Sequence, residues 1–250
     1  MTDVTARTSR TVVISGGGSG IGRASARWFA ERGDRVWIVG RREGALAAAA
    51  DSIDGDVHYV VADLGRADGA RAVRAALAGG PVDVVVPAAG GTSAAVSSDL
   101  DEVEAYWRDD LKQNLLTAVL LVEAVQPILV ARGARVVGVG SIGAQLGSGY
   151  GGSYGAAKAG LAAWIFWLAA RLGPQGGTAN LVLPGYIPDT EFFGARMTSE
   201  FDQVRVERTL LGRAGTSDEV AAAIGFLASS EAGYITGQLL GISGGTVLGR

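Results

Sequence analysis

The 250-residue sequence contains no cysteine and only one histidine, His58. The absence of cysteine excludes disulfides, thiolate catalysis and cysteine-bound metals. A single histidine cannot build a histidine-rich metal cluster, and it argues against a Ser–His–Asp triad. His58 itself lies in the alternating stretch 57–61, which is typical of a strand, so we assign it a structural role. No metal site is therefore expected.

Strong charge of either sign and long apolar runs are also missing. The formal net charge is −3 and no basic run stands out, so nucleic acid is not an expected partner. The polar segment 1–10 lacks the apolar core of a signal peptide. The longest strictly apolar run, 161–170, is too short to span a bilayer. We therefore predict a cytoplasmic protein with no membrane partner.

Short β-branched runs alternate with longer stretches rich in alanine and leucine. The runs predicted as strands are 11–15, 35–39, 57–61, 82–86, 134–139, 178–183 and 238–242. The stretches predicted as helices are 20–32, 43–52, 66–78, 102–131, 153–172 and 217–229. Several strands are nearly continuous apolar runs, as expected where helices cover both faces of a parallel sheet. The alternation predicts one α/β domain over residues 1–250, of the doubly wound Rossmann type.

Residues 186–212 differ from the rest of the chain. They show neither a clear strand period nor a well-capped helix. Loops longer than about a dozen residues in a compact domain are usually functional. We therefore predict that this segment is a lid over a substrate site.

A glycine-rich turn joins the first strand to the first helix. It contains Gly16, Gly18, Ser19, Gly20, Ile21 and Gly22. Glycine lets the backbone turn tightly and approach a phosphate, and the helix that follows offers free N–H groups and a positive dipole end. The Gly-x-x-x-Gly-x-Gly spacing is not the usual Gly-x-Gly-x-x-Gly fingerprint, and tight turns alone also use glycine. Its position between strand and helix favours a dinucleotide-binding loop.

The residues at the ends of the second and third strands indicate which dinucleotide the chain binds. An acidic residue after the second strand would bind the ribose 2′-hydroxyl of NAD, but the chain has Gly40, Arg41 and Arg42 there. Two guanidiniums without a carboxylate favour the 2′-phosphate of NADP, although both arginines could be solvated surface residues. Asp63, followed by Leu64, either accepts a hydrogen bond from adenine or caps the next helix. The predicted cofactor is NADP(H), with NAD(H) as the alternative.

A candidate catalytic group lies at the start of the helix 153–172. Tyr154 and Lys158 are four residues apart and therefore share a helix face, and Ser141 follows the fifth strand. A nearby cation stabilises phenolate and lowers the pKa of a tyrosine from its reference of about 10. Tyr-x-x-x-Lys alone is a common accident of helix composition, but its placement after the fifth strand, at the carboxyl ends of the sheet, indicates an acid/base.

Together these motifs resemble the short-chain dehydrogenase/reductase family, in its ordinary type of about 250 residues. The resemblance runs from residue 11 to about 245. Tyr154 is the thirteenth residue after Ser141, which is the spacing in the family. The residues that carry it are Gly16-x-x-x-Gly20-x-Gly22, Asp63, Ala89-Gly90, Asn114, Ser141, Tyr154-x-x-x-Lys158 and Pro184-Gly185. It implies a seven-stranded parallel sheet in the order 3-2-1-4-5-6-7, with helices on both faces, and an NADP-preferring oxidoreductase.

The resemblance also implies a role for each matching residue. Tyr154 would exchange a proton with the substrate oxygen, and Ser141 would hydrogen-bond that oxygen. Lys158 would lower the pKa of Tyr154 and bind the nicotinamide ribose, and the backbone carbonyl of Asn114 would hold a water that links Lys158 to solvent. The residues expected along the cofactor are Ala89, Gly90, Pro184, Gly185, Ile187 and Thr190.

The sequence departs from the family pattern in two segments. The usual Asn-Asn-Ala-Gly after the fourth strand is Pro87-Ala88-Ala89-Gly90 here, which puts stability or cofactor fit in doubt. The first strand ends in Ser15 rather than the commoner threonine, which keeps the hydroxyl. We expect activity to survive both changes.

The sequence leaves three candidate functions. The first is NADPH-dependent interconversion of a ketone or aldehyde and an alcohol. Apolar residues that suggest an apolar substrate, unless they only pack the lid on the core, are Leu146, Tyr150, Phe192, Phe193, Met197 and Phe201. The second is reduction of a 3-oxoacyl thioester on an acidic acyl carrier protein, for which the basic candidates are Arg196, Arg205, Arg208 and Arg213. The third, a nucleotide-binding regulator without catalysis, is disfavoured by the intact catalytic residues.

Three large aromatic residues lie beyond the catalytic turn of the helix 153–172. Trp164, Phe166 and Trp167 cover more of the helix surface than one buried stripe would need. In the resembling family this helix pairs across a two-fold axis. We therefore predict a homotetramer, with a homodimer as the alternative.

Overall fold

In the computed structural model, seven strands form one parallel sheet in the order β3-β2-β1-β4-β5-β6-β7. The structure describes residues 9–78, 80–93, 97–130, 132–147, 152–194 and 197–249. The strands are β1 (Thr11–Ser15), β2 (Arg35–Gly40), β3 (Val57–Val61), β4 (Val84–Pro87), β5 (Arg135–Val139), β6 (Thr178–Pro184) and β7 (Leu239–Ile242). The predicted sheet and strand order are confirmed.

Helices cover both faces of this sheet. They are α1 (Gly20–Ala30), α2 (Glu43–Ser52), α3 (Ala67–Ala76), α4 (Leu100–Leu111), α5 (Thr117–Val125), α6 (Gly143–Leu146), α7 (Ser153–Leu172), α8 (Ser199–Glu207) and α9 (Ser217–Leu227). Phe29, Leu46 and Ile224 of α1, α2 and α9 pack in the apolar core on one face. Leu121 and Ile165 of α5 and α7 pack in the core on the other.

Burial along the sheet explains the composition of its strands. β4 and β6 are buried throughout, which fits their continuous apolar runs. β3 lies at the edge and is largely exposed. There His58 stacks on Trp37 with ring centroids 4.6 Å apart, and its Nε2 lies 2.7 Å from a carboxylate oxygen of Asp56. These contacts agree with the structural role assigned to His58.

The predicted helix over 102–131 is wrong as a continuous element. A π-helical turn, Lys112–Leu116, separates α4 from α5. The chain then tightens into a 3₁₀ turn, Gln126–Ile128, and Leu129 forms a bridge with Val82 in the sheet. Pro127 ends the helix because it has no N–H to donate and its ring clashes with the preceding turn.

Two further expectations need correction. β4 covers 84–87 rather than 82–86, because Val82 pairs with Leu129 instead. The segment 186–212 does contain a capped helix, α8: the Thr198 side chain accepts a hydrogen bond from the Phe201 N–H at 3.1 Å. The bounds of the other predicted elements agree with the structure to within two residues.

No helix in the described part of the chain is long and apolar enough to cross a membrane.

Candidate active site

The glycine loop between β1 and α1 has no room for side chains. Gly16 and Gly20 have φ values of +70° and +50°, a left-handed region that favours glycine. A Cβ on Gly16 would lie 3.0 Å from the backbone of Ala89, and one on Gly22 only 2.3 Å from the Gly16 carbonyl oxygen. The loop therefore folds tightly on itself against the end of β4, and its glycine backbone is not covered by side chains of its own.

Helix α1 begins at this loop without a side-chain cap. Its N-cap residue, Ser19, makes no capping hydrogen bond, and the first turn contains no acidic residue. Uncapped N–H groups and the positive end of the helix dipole form a ready anion site. A glycine cradle beside an uncapped helix fits the phosphates of a dinucleotide, which the residues of this loop would hold.

Arg41 and Arg42 are both exposed where α2 begins, and Arg42 is its N-cap residue. Arg42 forms a bidentate ion pair with Glu191, with its Nη2 2.5 Å and its Nη1 3.2 Å from the two carboxylate oxygens. This hydrogen bond raises the pKa of Arg42 and lowers that of Glu191. The Ser19 hydroxyl also donates to Glu191, at 3.2 Å. Glu191 was missed in the sequence because its partners are 149 and 172 positions away.

Asp63 follows β3 but does not cap α3, so that alternative is wrong: the N-cap residue is Arg66. The Asp63 carboxylate accepts a hydrogen bond from the Gly65 N–H at 2.9 Å and lies 3.5 Å from Nζ of Lys112. Burial works to raise the pKa of Asp63, but the hydrogen bond from Gly65 and the charges of Lys112 and Arg41 lower it overall. Asp63 is therefore held ionised, with buried Leu64 next to it.

The end of β4 is held by β1 rather than by asparagine side chains. The Ser15 hydroxyl accepts hydrogen bonds from the N–H groups of Ala88 and Ala89, at 3.1 and 3.0 Å. Pro87 pairs with Ser15 in the sheet register and, as proline, has no N–H to satisfy. The serine hydroxyl thus fixes the backbone at the position where the departure from the family pattern lies.

Asn114 is fully buried in the π-helical turn and binds the loop after β4. Its Nδ2 donates to the Gly91 carbonyl at 2.8 Å, and its Oδ1 accepts from the Gly91 N–H at 3.2 Å. A Cβ on Gly90 would lie 2.8 Å from Oδ1 of Asn114 and 3.1 Å from Nζ of Lys158. The structure therefore brings Asn114, Gly90 and Lys158 together.

Lys158 and Tyr154 are both buried on the first turns of α7. The ammonium of Lys158 donates to the Val139 carbonyl at 2.9 Å and lies 5.8 Å from the centre of the Tyr154 ring. Burial lowers the pKa of Lys158 to about 8. A desolvated cation close to the tyrosine ring is the arrangement that stabilises phenolate.

Ser141 and Pro184 lie at the carboxyl ends of β5 and β6. The Ser141 hydroxyl accepts a hydrogen bond from the Gly143 N–H at 3.0 Å. The next turn is fastened to β6, since the Ile142 N–H donates to the Pro184 carbonyl at 3.1 Å. Both segments therefore come from neighbouring strands and leave the same edge of the sheet.

The segment after β6 runs back over the glycine loop. The Gly185 N–H donates to the Ile242 carbonyl at 2.9 Å, and the side chain of Ile187 is buried. The hydroxyl of Thr190 donates to the Ile187 carbonyl at 3.0 Å. A Cβ on Gly20 would meet the Thr190 side chain at 3.1 Å, so Thr190 lies directly against the glycine loop.

A network that the sequence did not reveal supports the start of α7. The carboxylate of Asp110 is fully buried, although it lies on α4. It accepts a hydrogen bond from the Ser153 hydroxyl at 2.6 Å and one from the Ser93 N–H at 2.8 Å. Ser153 directly precedes Tyr154, so α4 holds the first turn of α7. An acidic residue within a helix is usually read as solvated, and only its burial gives this one a role.

Aromatic side chains of the predicted lid lie next to Tyr154. The ring of Phe192 is 5.2 Å from that of Tyr154, and Phe193 is buried 5.3 Å from Tyr186. Burial and a hydrogen bond to Asp202 raise the pKa of Tyr186 to about 12, which keeps its hydroxyl protonated. Tyr186 and Phe193 therefore pack the segment, whereas Phe192 faces Tyr154.

The other candidate residues of this region are less enclosed. Leu146 and Met197 are exposed, and Arg213 is paired with Glu219. The guanidinium of Arg205 lies over the Phe201 ring at 4.8 Å. Arg208 is exposed on the surface, and Tyr150 and Arg196 fall outside the described residues.

Chemically, the site combines a phenol, a desolvated ammonium and a serine hydroxyl at one edge of the sheet. A phenol can exchange a proton with a substrate oxygen, the cation favours its ionised form, and the hydroxyl can stabilise charge on that oxygen. The glycine loop and uncapped helix beside it can hold an anionic dinucleotide. Such a site suits transfer of hydrogen between an alcohol and a carbonyl.

Known proteins resemble this chain over nearly its whole length. Residues 16–247 match a family model described as enoyl-(acyl carrier protein) reductase. A 3-oxoacyl-(acyl-carrier-protein) reductase of Chlamydia muridarum is 34% identical, covering 95% of this chain and 97% of that protein. A galactitol 2-dehydrogenase (L-tagatose-forming) of Cereibacter sphaeroides is 33% identical, covering 93% and 92%.

Solved structures also resemble this chain over nearly its whole length. An oxidoreductase of the short-chain dehydrogenase/reductase family from Burkholderia thailandensis aligns with a TM-score of 0.87 and 35% identity, covering 98% of this chain and 95% of that one. The RhlG/NADP active-site complex of Pseudomonas aeruginosa aligns with a TM-score of 0.87 and 27% identity, covering 98% and 99%.

Proposed function

The chain belongs to the short-chain dehydrogenase/reductase family, and on this basis we propose that it is an NADP(H)-dependent enzyme that interconverts an apolar ketone or aldehyde and an alcohol. The family assignment makes it an oxidoreductase of CH–OH and C=O groups that uses a nicotinamide cofactor. The choice of NADP, the substrate and the role of each residue are the proposal.

The bare backbone of the loop at Gly16 and Gly20 would lie against the cofactor pyrophosphate, at the N-terminus of α1. Arg41 and Arg42 would bind the 2′-phosphate, since these two arginines, and not a carboxylate, stand directly after β2. Asp63 is held ionised and would accept a hydrogen bond from the adenine amino group. Pro184, Gly185, Ile187 and Thr190 would line the nicotinamide end.

When bound, the cofactor supplies or accepts the hydride at the substrate carbon. In the reduction, Tyr154 gives its phenolic proton to the carbonyl oxygen, and in the oxidation it takes the proton back. The Ser141 hydroxyl donates a hydrogen bond to that oxygen and stabilises the charge that develops on it. The ammonium of Lys158 lowers the free energy of the phenolate form, because the cation lies in a desolvated site beside the ring.

The position of Lys158 is the observation that carries this proposal. Its buried ammonium donates to the Val139 carbonyl, pairs with no carboxylate among the residues that the structure describes, and lies beside a buried tyrosine. Burying a cation costs free energy, and it is retained where the charge has a use. Asn114 adjoins it through Gly90 and would hold the water that links Lys158 to solvent.

The experiment is Tyr154→Phe, measured for turnover and for cofactor binding. We expect kcat with an aromatic ketone and NADPH to fall by about 10²- to 10⁴-fold, the usual contribution of a general acid. The Kd of NADPH should stay within twofold. Tyr234→Phe, a change in a fully exposed tyrosine, is the control and should leave both values unchanged. Full activity in Tyr154→Phe would rule out the mechanism and favour a regulator without catalysis.

A second candidate is reduction of a 3-oxoacyl thioester. It is favoured by the relative from Chlamydia muridarum, whose name states that activity, and by the description of the matching family model. An acidic carrier protein would need free basic residues, but Arg213 is already paired with Glu219. An assay of a 3-oxoacyl thioester beside a simple aromatic ketone separates the two, since the better substrate by kcat/KM identifies the function.

Four further statements are proposals of the same kind. Residues 1–250 form one domain, and 186–212 act as a lid in which Phe192 contacts the substrate next to Tyr154. The protein is a homotetramer or a homodimer, for which the exposed Phe166 and Trp167 are the support. Its location is the cytoplasm.

A further inference from the structure

The carboxylate of Glu191 connects the predicted lid to the segments that follow β1 and β2. Glu191 follows Thr190, and its two oxygens accept hydrogen bonds from Nη1 and Nη2 of Arg42 at 3.2 and 2.5 Å. One of these oxygens also accepts a hydrogen bond from the Ser19 hydroxyl at 3.2 Å. Glu191 therefore binds the N-cap residues of both α1 and α2 at once.

An anion is favoured at this position for two reasons. Ser19 and Arg42 make no side-chain capping hydrogen bond to their own helices, and Glu191 binds both of these side chains at the positive ends of the two helix dipoles. A guanidinium and a hydroxyl are also donors that suit a phosphate. The hydrogen bond from Arg42 lowers the pKa of Glu191, which is ionised at neutral pH. The chain thus supplies its own anion to this site.

We propose that Glu191 is a cofactor-specificity residue that competes with the 2′-phosphate of NADP(H) for Arg42. The inference rests on the proposed function, in which the arginines after β2 bind that phosphate. A carboxylate and a phosphate repel each other when they share one guanidinium, so the ion pair must open before the phosphate can bind. NAD(H) carries a neutral 2′-hydroxyl and has no such requirement.

The expected change in the Kd of NADPH follows from the solvent exposure of the Arg42–Glu191 ion pair. The side chains of Arg42 and Glu191 are each 62% exposed, and exposed ion pairs contribute modestly. The apparent Kd of NADPH rises by the inverse of the fraction of molecules in which Arg42 is free. We therefore expect Glu191 to weaken NADPH binding by about two- to fivefold and to leave NADH binding unchanged.

The test is Glu191→Gln, with Kd values for NADPH and NADH measured by titration calorimetry on the full chain. The substitution keeps the shape of the side chain and removes its charge. The Kd of NADPH should fall about two- to fivefold and that of NADH should not change. Glu200→Gln, an exposed glutamate nine positions further on, is the matched control and should change neither. In an Arg42→Ala background, Glu191→Gln should have no effect on the affinity for NADPH.

The readout is the change in the ratio of the two Kd values, whereas the wild-type ratio tests the proposed NADP preference. A wild type that prefers NADH contradicts that preference, yet the inference survives if Glu191→Gln still moves the ratio toward NADPH. An unchanged ratio, equal changes for both cofactors, or an effect that persists without Arg42 overturns the inference. A wild type that binds neither dinucleotide overturns both.

Discussion

In the proposed mechanism, Lys158 supplies a cation to the site at a cost to stability. Its buried ammonium donates to the Val139 carbonyl, and burial lowers its pKa to about 8 from the 10.5 of a free lysine. The protonated form is thus less favourable in the folded chain than in the unfolded chain. Near neutral pH the folded protein carries this penalty, and it gains a cation beside Tyr154.

This penalty should appear in the pH dependence of stability. Because the pKa of Lys158 is lower in the folded state, its unfavourable contribution is complete below about pH 8 and disappears as the pH rises to about 10.5. Relative to Lys158→Met, the wild type should gain about 2 kcal/mol of unfolding free energy between pH 7 and pH 10. Urea unfolding of both proteins at the two pH values measures this. A difference that does not vary with pH would mean that Lys158 is not desolvated.

Gly22 should tolerate no side chain, because a Cβ there would lie 2.3 Å from the Gly16 carbonyl oxygen. We expect Gly22→Ala to lower the free energy of unfolding by about 1–3 kcal/mol, in the range of overpacking, and to abolish dinucleotide binding. Gly44→Ala is the control, since a Cβ on Gly44 in α2 meets nothing within 4 Å. Its higher helix propensity should raise stability by up to about 1 kcal/mol. Thermal unfolding and cofactor titration distinguish the two variants.

At the scale of elements, α4 and the π-helical turn after it support the start of α7 and the loop that follows β4. Ser153 hydrogen-bonds the buried Asp110 of α4, and the π-helical turn after α4 places Asn114 against the loop that follows β4. π-helical turns occur often at functional sites, where they redirect a side chain. The first contact joins α7 to α4, and the second joins the π-helical turn to the loop after β4, where Gly90 lies next to Lys158.

Asp110 should therefore matter far more than its neighbour Asp109. Asp110→Ala leaves the Ser153 hydroxyl and the Ser93 N–H without their buried acceptor, which should lower the unfolding free energy by about 2–4 kcal/mol. We also expect kcat to fall, because the first turn of α7 loses its contact with α4. Asp109→Ala removes an exposed carboxylate and should change stability by less than about 0.5 kcal/mol. Equal losses in the two variants would show that the network has no special role.

At the scale of the whole molecule, α7 has a surface that the sheet does not cover. Trp164 packs on the core, whereas Phe166 and Trp167 are 47% and 53% exposed. Arg171 lies over the Trp167 ring at 5.2 Å and pairs with Glu123 of α5, so α5 and α7 form one continuous surface. Exposed aromatic side chains of this size are enriched in interfaces.

The predicted homo-oligomer can be tested by light scattering at micromolar concentration. We expect a mass of two or four chains for the wild type and a smaller mass for Trp167→Glu, because a charge would be buried at the contact. Tyr59→Glu changes a 40% exposed side chain on the edge strand β3 and should leave the mass unchanged. A monomeric wild type would refute the prediction.

The sequence by itself determined the fold and the candidate residues of the site. The periods of its apolar residues predicted the parallel sheet and most helix bounds, and the motifs around Gly16, Tyr154 and Pro184 identified the family. These signals are local: a strand alternates and a helix repeats within a few residues. The prediction of a continuous helix over 102–131 was wrong because a π-helical turn has no comparable periodic signal and because the chain leaves the helix at Pro127.

Only the tertiary structure decided which distant side chains meet. The pairing of Glu191 with Arg42 and Ser19, the burial of Asp110 against Ser153, and the contact of Phe192 with Tyr154 join segments far apart in the chain. A hydrogen bond or ring contact depends on how elements are placed in space, to within a fraction of an ångström. Local sequence patterns do not encode that placement, which arises when the helices pack on the sheet.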